Sequence, residues 1–160
     1  MVVLGLFISA TLDNVTSLAP SDPPNYYYTF KIQCTSCREI HSNPVKISRN
    51  EAVGIPHSRG KASFVWKCRH CQRENSANIE GEMSEYTLEI SPSMSHIISF
   101  ECRGCEFIEF YPDGEWSCKG FESGTPFHEI NLNEGEWYDY DEKNQTEVSI
   151  TNIKWEIKRV

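Results

Sequence analysis

Six of the seven cysteines in this chain fall into three Cys-x-x-Cys pairs: Cys34 and Cys37, Cys68 and Cys71, Cys102 and Cys105, with Cys118 standing alone. A two-residue gap lets both sulfurs of a tight turn face one ion. Two such turns supply the tetrahedral all-sulfur shell that Zn²⁺ accepts readily. The first two pairs are complete, so Cys34, Cys37, Cys68 and Cys71 are the expected ligands of one Zn²⁺ per chain. The 30 residues between these pairs exceed the spacing of a simple zinc ribbon. The length-dependent part of closing that loop costs about 3 kcal/mol. Structural zinc in small peptides contributes ~10–16 kcal/mol of apparent binding energy at neutral pH, so the ion wins. Four thiolates leave no open position for water, which makes the expected zinc structural and not catalytic. His70 sits inside the second pair and reads as a solvated turn residue. Arg38, Arg69 and Arg73 flank the pairs; they either offset the charge of the thiolates or are ordinary surface arginines.

Cys102, Cys105 and Cys118 admit two readings. They could form a second, three-thiolate site, with His128 as fourth ligand or with Cu(I) and no fourth ligand. The preferred reading is a degenerate copy of the first site, with Phe121 at the place of the missing cysteine and filling the volume left behind. A thioredoxin-type pair needs a helix N-terminus in a βαβ unit, and no βαβ pattern occurs here. No Gly-x-Ser-x-Gly, His-Glu-x-x-His or P-loop occurs, and Glu122-Ser123-Gly124-Thr125-Pro126 has no partnered base, so it reads as a turn. An enzyme is not expected.

The elements that hold these residues are strands. Leu4, Leu6, Ile8, Ala10 and Leu12 alternate with a second face, as do Tyr26, Tyr28, Phe30 and Ile32. Ala62, Phe64, Trp66 and Cys68 share a face, as do Ile98, Phe100 and Cys102, and Ile153, Trp155 and Ile157. Turn-forming segments separate them, among them residues 20–25, 42–44, 54–60 and 111–114. No long amphipathic helix is legible. The expected class is all-β and mostly antiparallel, with zinc-ribbon-like knuckles in the first half. The Phe30–Cys37 segment resembles Ile98–Cys105, and Trp66–Cys71 resembles Trp116–Phe121. Both halves open on an apolar strand, near Leu4–Leu12 and Tyr86–Ile90. Residues 1–160 therefore read as one zinc-binding domain with an internal repeat, 1–82 bearing the zinc and 83–160 degenerate; chance likeness of two β-rich halves is the alternative.

Fifteen Lys and Arg against 23 Asp and Glu give a formal net charge of −8, which argues against a general nucleic-acid binder. A basic loop at Lys46, Arg49, Arg59 and Lys61 is the local exception. No run is long and apolar enough to span a bilayer. The apolar start lacks a basic n-region, since no Lys or Arg precedes Lys31, so it reads as a strand and not a signal peptide. A cytoplasmic setting is expected, with the nucleus as the alternative, because a reducing compartment favours metal use of cysteines over disulfides. Glu134, Glu136, Asp139, Asp141 and Glu142 interleave with Trp137, Tyr138 and Tyr140. That segment reads as a solvated loop with one or two aromatics in the core, or as a docking site for a basic partner. The expected function is a small zinc-binding protein, monomeric, that acts through an unidentified protein partner. The alternative is a thiol redox or metal-handling protein that uses the second-half cysteines.

These residues also resemble a known family. Ala10-Thr11-Leu12-Asp13-Asn14-Val15, the two knuckles, Arg73-Glu74-Asn75-Ser76, Phe100-Glu101-Cys102-Arg103-Gly104, Glu122-Ser123-Gly124-Thr125 and Asp139-Tyr140-Asp141-Glu142-Lys143 are similar to the eukaryotic CXXC-motif-containing zinc-binding proteins, almost end to end. The resemblance implies an all-β fold of two similar halves and zinc at Cys34, Cys37, Cys68 and Cys71. It implies no established reaction. The family pattern has no cysteine matching Cys105, so the third pair lies outside what the resemblance covers.

Overall fold

A computed structural model describes residues 1–56 and 59–160. Fourteen strands account for most of them. They are β1 (Val2–Asp13), β2 (Val15–Pro20), β3 (Tyr28–Cys34), β4 (Val45–Ile47), β5 (Val53–Gly54), β6 (Lys61–Ala62) and β7 (Phe64–Lys67). Then come β8 (Glu74–Glu80), β9 (Ser95–Arg103), β10 (Cys105–Tyr111), β11 (Trp116–Gly120), β12 (Pro126–Ile130), β13 (Trp137–Asp141) and β14 (Thr146–Arg159). No α-helix occurs among the described residues, and one 3-10 turn spans Pro23–Asn25. The class is all-β and antiparallel. The expected turn at 54–60 falls partly on residues 57 and 58, outside the described residues.

The largest sheet runs β13-β14-β1-β9-β8-β7. Two three-stranded sheets, β10-β3-β4 and β12-β11-β2, pack against it, and β5-β6 forms a small ribbon. Alternation decides which side chains enter the space between sheets. Leu4, Leu6, Ile8, Ala10 and Leu12 on β1 are all buried, as are Tyr28, Phe30 and Ile32 on β3 and Ile98, Phe100 and Cys102 on β9. The core is aromatic. Phe30 stacks on Phe107 with ring centres 4.3 Å apart and meets Phe100 edge-on at 5.0 Å, which joins β3 to the large sheet. Trp155 on β14 reaches Phe110 at 4.7 Å and Trp116 at 5.5 Å, so all three larger sheets share one interior.

Three expectations are corrected. Tyr86–Ile90 is not a strand: Tyr86 makes a single bridge to Leu18, and the carbonyl of Thr87 then accepts from the amides of Ile90 and Ser91 to close a turn. The Tyr86 hydroxyl donates to the Ser93 carbonyl at 2.6 Å, which ties the turn to itself instead of extending it. Phe121 fills no vacated core volume; its side chain is 58% exposed. The acidic segment after Glu134 is an edge strand and not a loop. Trp137 tucks against Phe127 at 5.4 Å, while Tyr138 and Tyr140 face solvent.

Asp141 ends that strand in a buried position. It accepts from the Ser123 hydroxyl, from Thr125 Oγ1 at 2.9 Å and from the Asn144 amide at 3.2 Å. The Ser123 bond contributes most to holding its carboxyl below the ordinary carboxylate range. The same contacts make Glu122–Thr125 a turn, pinned where Gly120 approaches so closely that a Cβ there would strike Ser123 Oγ and Asp141 Oδ2. A carboxyl whose folded pKa is lowered stabilises the protein above its unfolded pKa and loses that contribution as pH falls toward the folded value. Asp141→Asn should therefore lower the melting temperature at neutral pH, and the gap to wild type should close below about pH 4. A gap independent of pH would show that the charge is not what Asp141 contributes.

Candidate metal centre

The first Cys-x-x-Cys follows the last residues of β3 and turns the chain toward β4. The second joins β7 to β8 at the edge of the large sheet. Their backbones repeat one pattern. The amide of Arg38 donates to the Cys34 carbonyl at 2.9 Å, and the amide of Gln72 donates to the Cys68 carbonyl at 2.9 Å. The Cys34 amide donates back to Glu39 at 3.0 Å, and that of Cys68 to Arg73 at 2.9 Å. In each knuckle the residue after the second cysteine is left-handed, Arg38 at φ 66° and Gln72 at φ 65°. This turn is what aims both sulfurs of a pair the same way.

The two knuckles meet face to face. Cys34 Sγ lies 3.6 Å from Cys71 Sγ, and Cys37 Sγ lies 3.6 Å from Cys68 Sγ. All four sulfurs fall within 4.8 Å of one another. A regular tetrahedron with Zn–S bonds of about 2.3 Å needs sulfurs about 3.8 Å apart, so the set fits one Zn²⁺. Arg73 Nη1 donates to Ser36 Oγ at 2.7 Å and ties the second knuckle to the first. Cys34 and Cys68 are buried, Cys37 is half-buried and Cys71 is exposed.

The sulfurs of the cluster act on the thiols of Cys34, Cys37 and Cys71. Burial opposes ionisation of Cys34, but the amides of Cys37 and Ser36 and the thiols of Cys71 and Cys37 outweigh it and bring Cys34 down to about 7. Cys37 receives the Glu39 amide, which favours its thiolate, yet burial and the Cys68, Cys34 and Cys71 sulfurs push it up to about 12. Cys71 is likewise raised: the Arg73 amide favours its thiolate, and burial with the Cys34 and Cys68 sulfurs overrides that bond. Four thiolates this close repel one another, so a cation is needed for all four to ionise together.

The remaining cysteines are arranged differently. Cys102 and Cys105 flank the corner where the chain leaves the large sheet for the β10-β3-β4 sheet, with Gly104 left-handed between the strands (φ 81°). A side chain at 104 would collide with Asn75, whose amide group donates to the Gly104 carbonyl at 3.0 Å. Cys105 pairs in register with Cys34, and Thr35 donates to the Gly104 carbonyl at 3.0 Å, so this corner buttresses the first knuckle. The Cys105 thiol, followed by burial, drives the Cys102 thiol far above its ordinary range. Cys118 lies on β11 opposite Phe127, and burial pushes it up to about 12. No second group of three metal-binding side chains is found among the described residues. His128, the suggested fourth ligand, instead lies 3.4 Å from the Ser117 hydroxyl. The role of Gly104 and Asn75 behind the first knuckle had no signal in cysteine spacing; Gly104 between two strand-like runs was the one available clue.

Comparison with known proteins agrees with this geometry. A CXXC motif containing zinc binding protein of Homo sapiens is 39% identical over 151 residues, covering 94% of each chain. A UPF0587 protein of Schizosaccharomyces pombe is 48% identical over 154 residues, covering 96% of each. The crystal structure of C1orf123 superposes with a TM-score of 0.91 at 37% identity, covering 99% of both chains. A hypothetical protein from Plasmodium falciparum superposes at 0.87 with 26% identity, covering 99% of this chain and all of that one. The model of the eukaryotic CXXC motif containing zinc binding proteins matches residues 5–158, and this chain belongs to that family.

Proposed function

We propose that Cys34, Cys37, Cys68 and Cys71 hold one structural Zn²⁺, and that the protein works as a non-enzymatic interaction module in the cytoplasm. The observation that carries this reading is the closed sulfur shell. Four sulfurs at mutual tetrahedral spacing leave no coordination position for a substrate or an activated water. The ion clamps the β3–β4 hairpin to the β7–β8 hairpin and so fixes the surface around the knuckles. A reducing compartment suits this reading, because a four-thiolate zinc site needs its cysteines kept reduced.

The thiol-redox alternative needs a low-pKa, accessible sulfur in the second half. Cys102 and Cys118 are buried; the Cys105 thiol and burial raise the Cys102 thiol, and burial raises that of Cys118, which disfavours it. Timed alkylation of the native zinc-loaded protein should find Cys102 and Cys118 reacting at least tenfold slower than a free thiol at neutral pH, since each unit by which a thiol pKa rises cuts its thiolate population tenfold. The module itself is tested by immobilising the full chain: it should retain a stoichiometric partner that is lost on chelation. A fast thiol in the second half that cycles with an oxidant would replace this reading with the redox one.

A further inference from the structure

The charge of the chain is divided by region. Residues 31–73, which carry both knuckles, hold nine Lys and Arg against Glu39 and Glu51, a formal +7; the remainder holds six against twenty-one, −15. Four thiolates around Zn²⁺ return two negative charges and still leave this region cationic. Among its nine cations only Lys31 has a carboxylate partner in the described residues, Glu109 at 3.4 Å. Arg73 and Arg49 bond neutral oxygens, on Ser36 and Gly81, and keep their full charge. By contrast, Arg103, Lys158 and Arg159, in the acidic remainder, each pair with a glutamate.

A groove of about 320 Å³ opens in this region beside the second knuckle. Ile40, His41, Trp66, Arg69 and His70 line it, with Glu39 among them as the single acid. Its walls are held by backbone: the amide of His41 donates to Ile32 at 3.0 Å, and Ile40 bridges to Gln33, so the segment after the first knuckle is laid back along β3. The His41 ring meets the Trp66 indole edge-on at 5.7 Å. Ile40 is 47% exposed, an apolar side chain left in water amid uncompensated positive charge.

We propose that this groove receives an acidic segment of a partner protein that carries one apolar or aromatic anchor. The anchor seats on Ile40 and Trp66 while its flanking carboxylates meet Arg69 and the cations of the two knuckles. The proposal rests on the interaction-module reading and names the partner's chemistry. A single groove with one indole, already in contact with His41, offers one anchor point; single-stranded nucleic acid uses a succession of stacked rings along a basic track.

The test uses the full-length zinc-loaded protein. Three probes of about 12 units are titrated by fluorescence anisotropy and amide NMR: an Asp/Glu peptide with a central Phe, a Lys/Arg peptide with the same Phe, and a uridine-rich RNA. The acidic peptide should shift the amides of Ile40, His41, Trp66 and Arg69, and its affinity should fall as salt rises. Arg69→Glu and Ile40→Asp should each weaken it about tenfold or more, and Glu39→Gln should strengthen it. All three residues are exposed, so zinc content and melting temperature should not change. Shifts elsewhere, indifference to Arg69→Glu, or tighter binding of the RNA at these residues would each overturn the proposal. If no probe reaches the groove while chelation still releases a captured partner, this docking site is wrong and the module reading stands. If no partner is captured at all, the module reading fails.

Discussion

Cys68→Ser should reduce the metal content from about one zinc per chain to near none and lower the melting temperature by roughly 10–20 °C. A serine hydroxyl is a poor zinc ligand, and loss of the Cys68 sulfur leaves three whose mutual repulsion resists shared ionisation. Losing more than about 5 kcal/mol of ion binding accounts for the shift. A strong chelator should have the same effect on wild type. The damage should centre on the ends of β3 and β7, because the ion joins the hairpins that those strands enter. Cys102→Ser is the contrast: it places a hydroxyl in an apolar corner at a cost of about 1–3 kcal/mol but should leave the zinc in place. Metal analysis and thermal melts of both variants decide the matter. Two zincs in wild type, one of them lost with Cys102→Ser, would assign a metal to the second half as well.

Phe30→Ala should be the costliest substitution away from the sulfurs, at about 3–5 kcal/mol. Phe30 is 1% exposed, and its ring touches Phe107, Phe100 and Phe110 from two sheets. Truncation leaves a void bounded by strands that cannot close on it, since each is paired on its own sheet. The consequence extends to the metal, because Phe30 and Cys34 lie on the same strand and the same face. Zinc transfer to a chromogenic chelator should quicken in Phe30→Ala while the content before challenge remains about one per chain. Unchanged transfer at reduced stability would mean that the knuckles hold their geometry without the aromatic stack.

The knuckles were legible because ligand chemistry restricts residue type and spacing together: Cys34, Cys37, Cys68 and Cys71 need only be read in order. Strands β1, β3 and β9 were legible because one face is buried and the other is not, so Leu4–Leu12, Tyr28–Ile32 and Ile98–Cys102 keep a period of two. The failures have one physical cause, that a short apolar run does not state its partner. Tyr86–Ile90 has the composition of a strand, but its backbone bonds are taken by Leu18 and by its own turn. Phe121 occupies the place of a cysteine in the sequence and projects into solvent. Strand order was equally hidden: β1 sits between β9 and β14, both from the second half of the chain. The charge division was present in the sequence all along, masked by summing a cationic 31–73 with an anionic remainder.

The position of β1 between β9 and β14 has a consequence during synthesis. Both neighbours of β1 emerge from the ribosome long after it, the later one only when Thr146–Arg159 has been made. Translation at about 5–20 residues per second therefore leaves this apolar segment without hydrogen-bonding neighbours for several seconds. The last sulfur of the metal set, Cys71, emerges before either neighbour does. A nascent chain can thus acquire its ion while its opening strand is still a naked edge, an interval in which a chaperone holding Leu4–Leu12 would have most to protect.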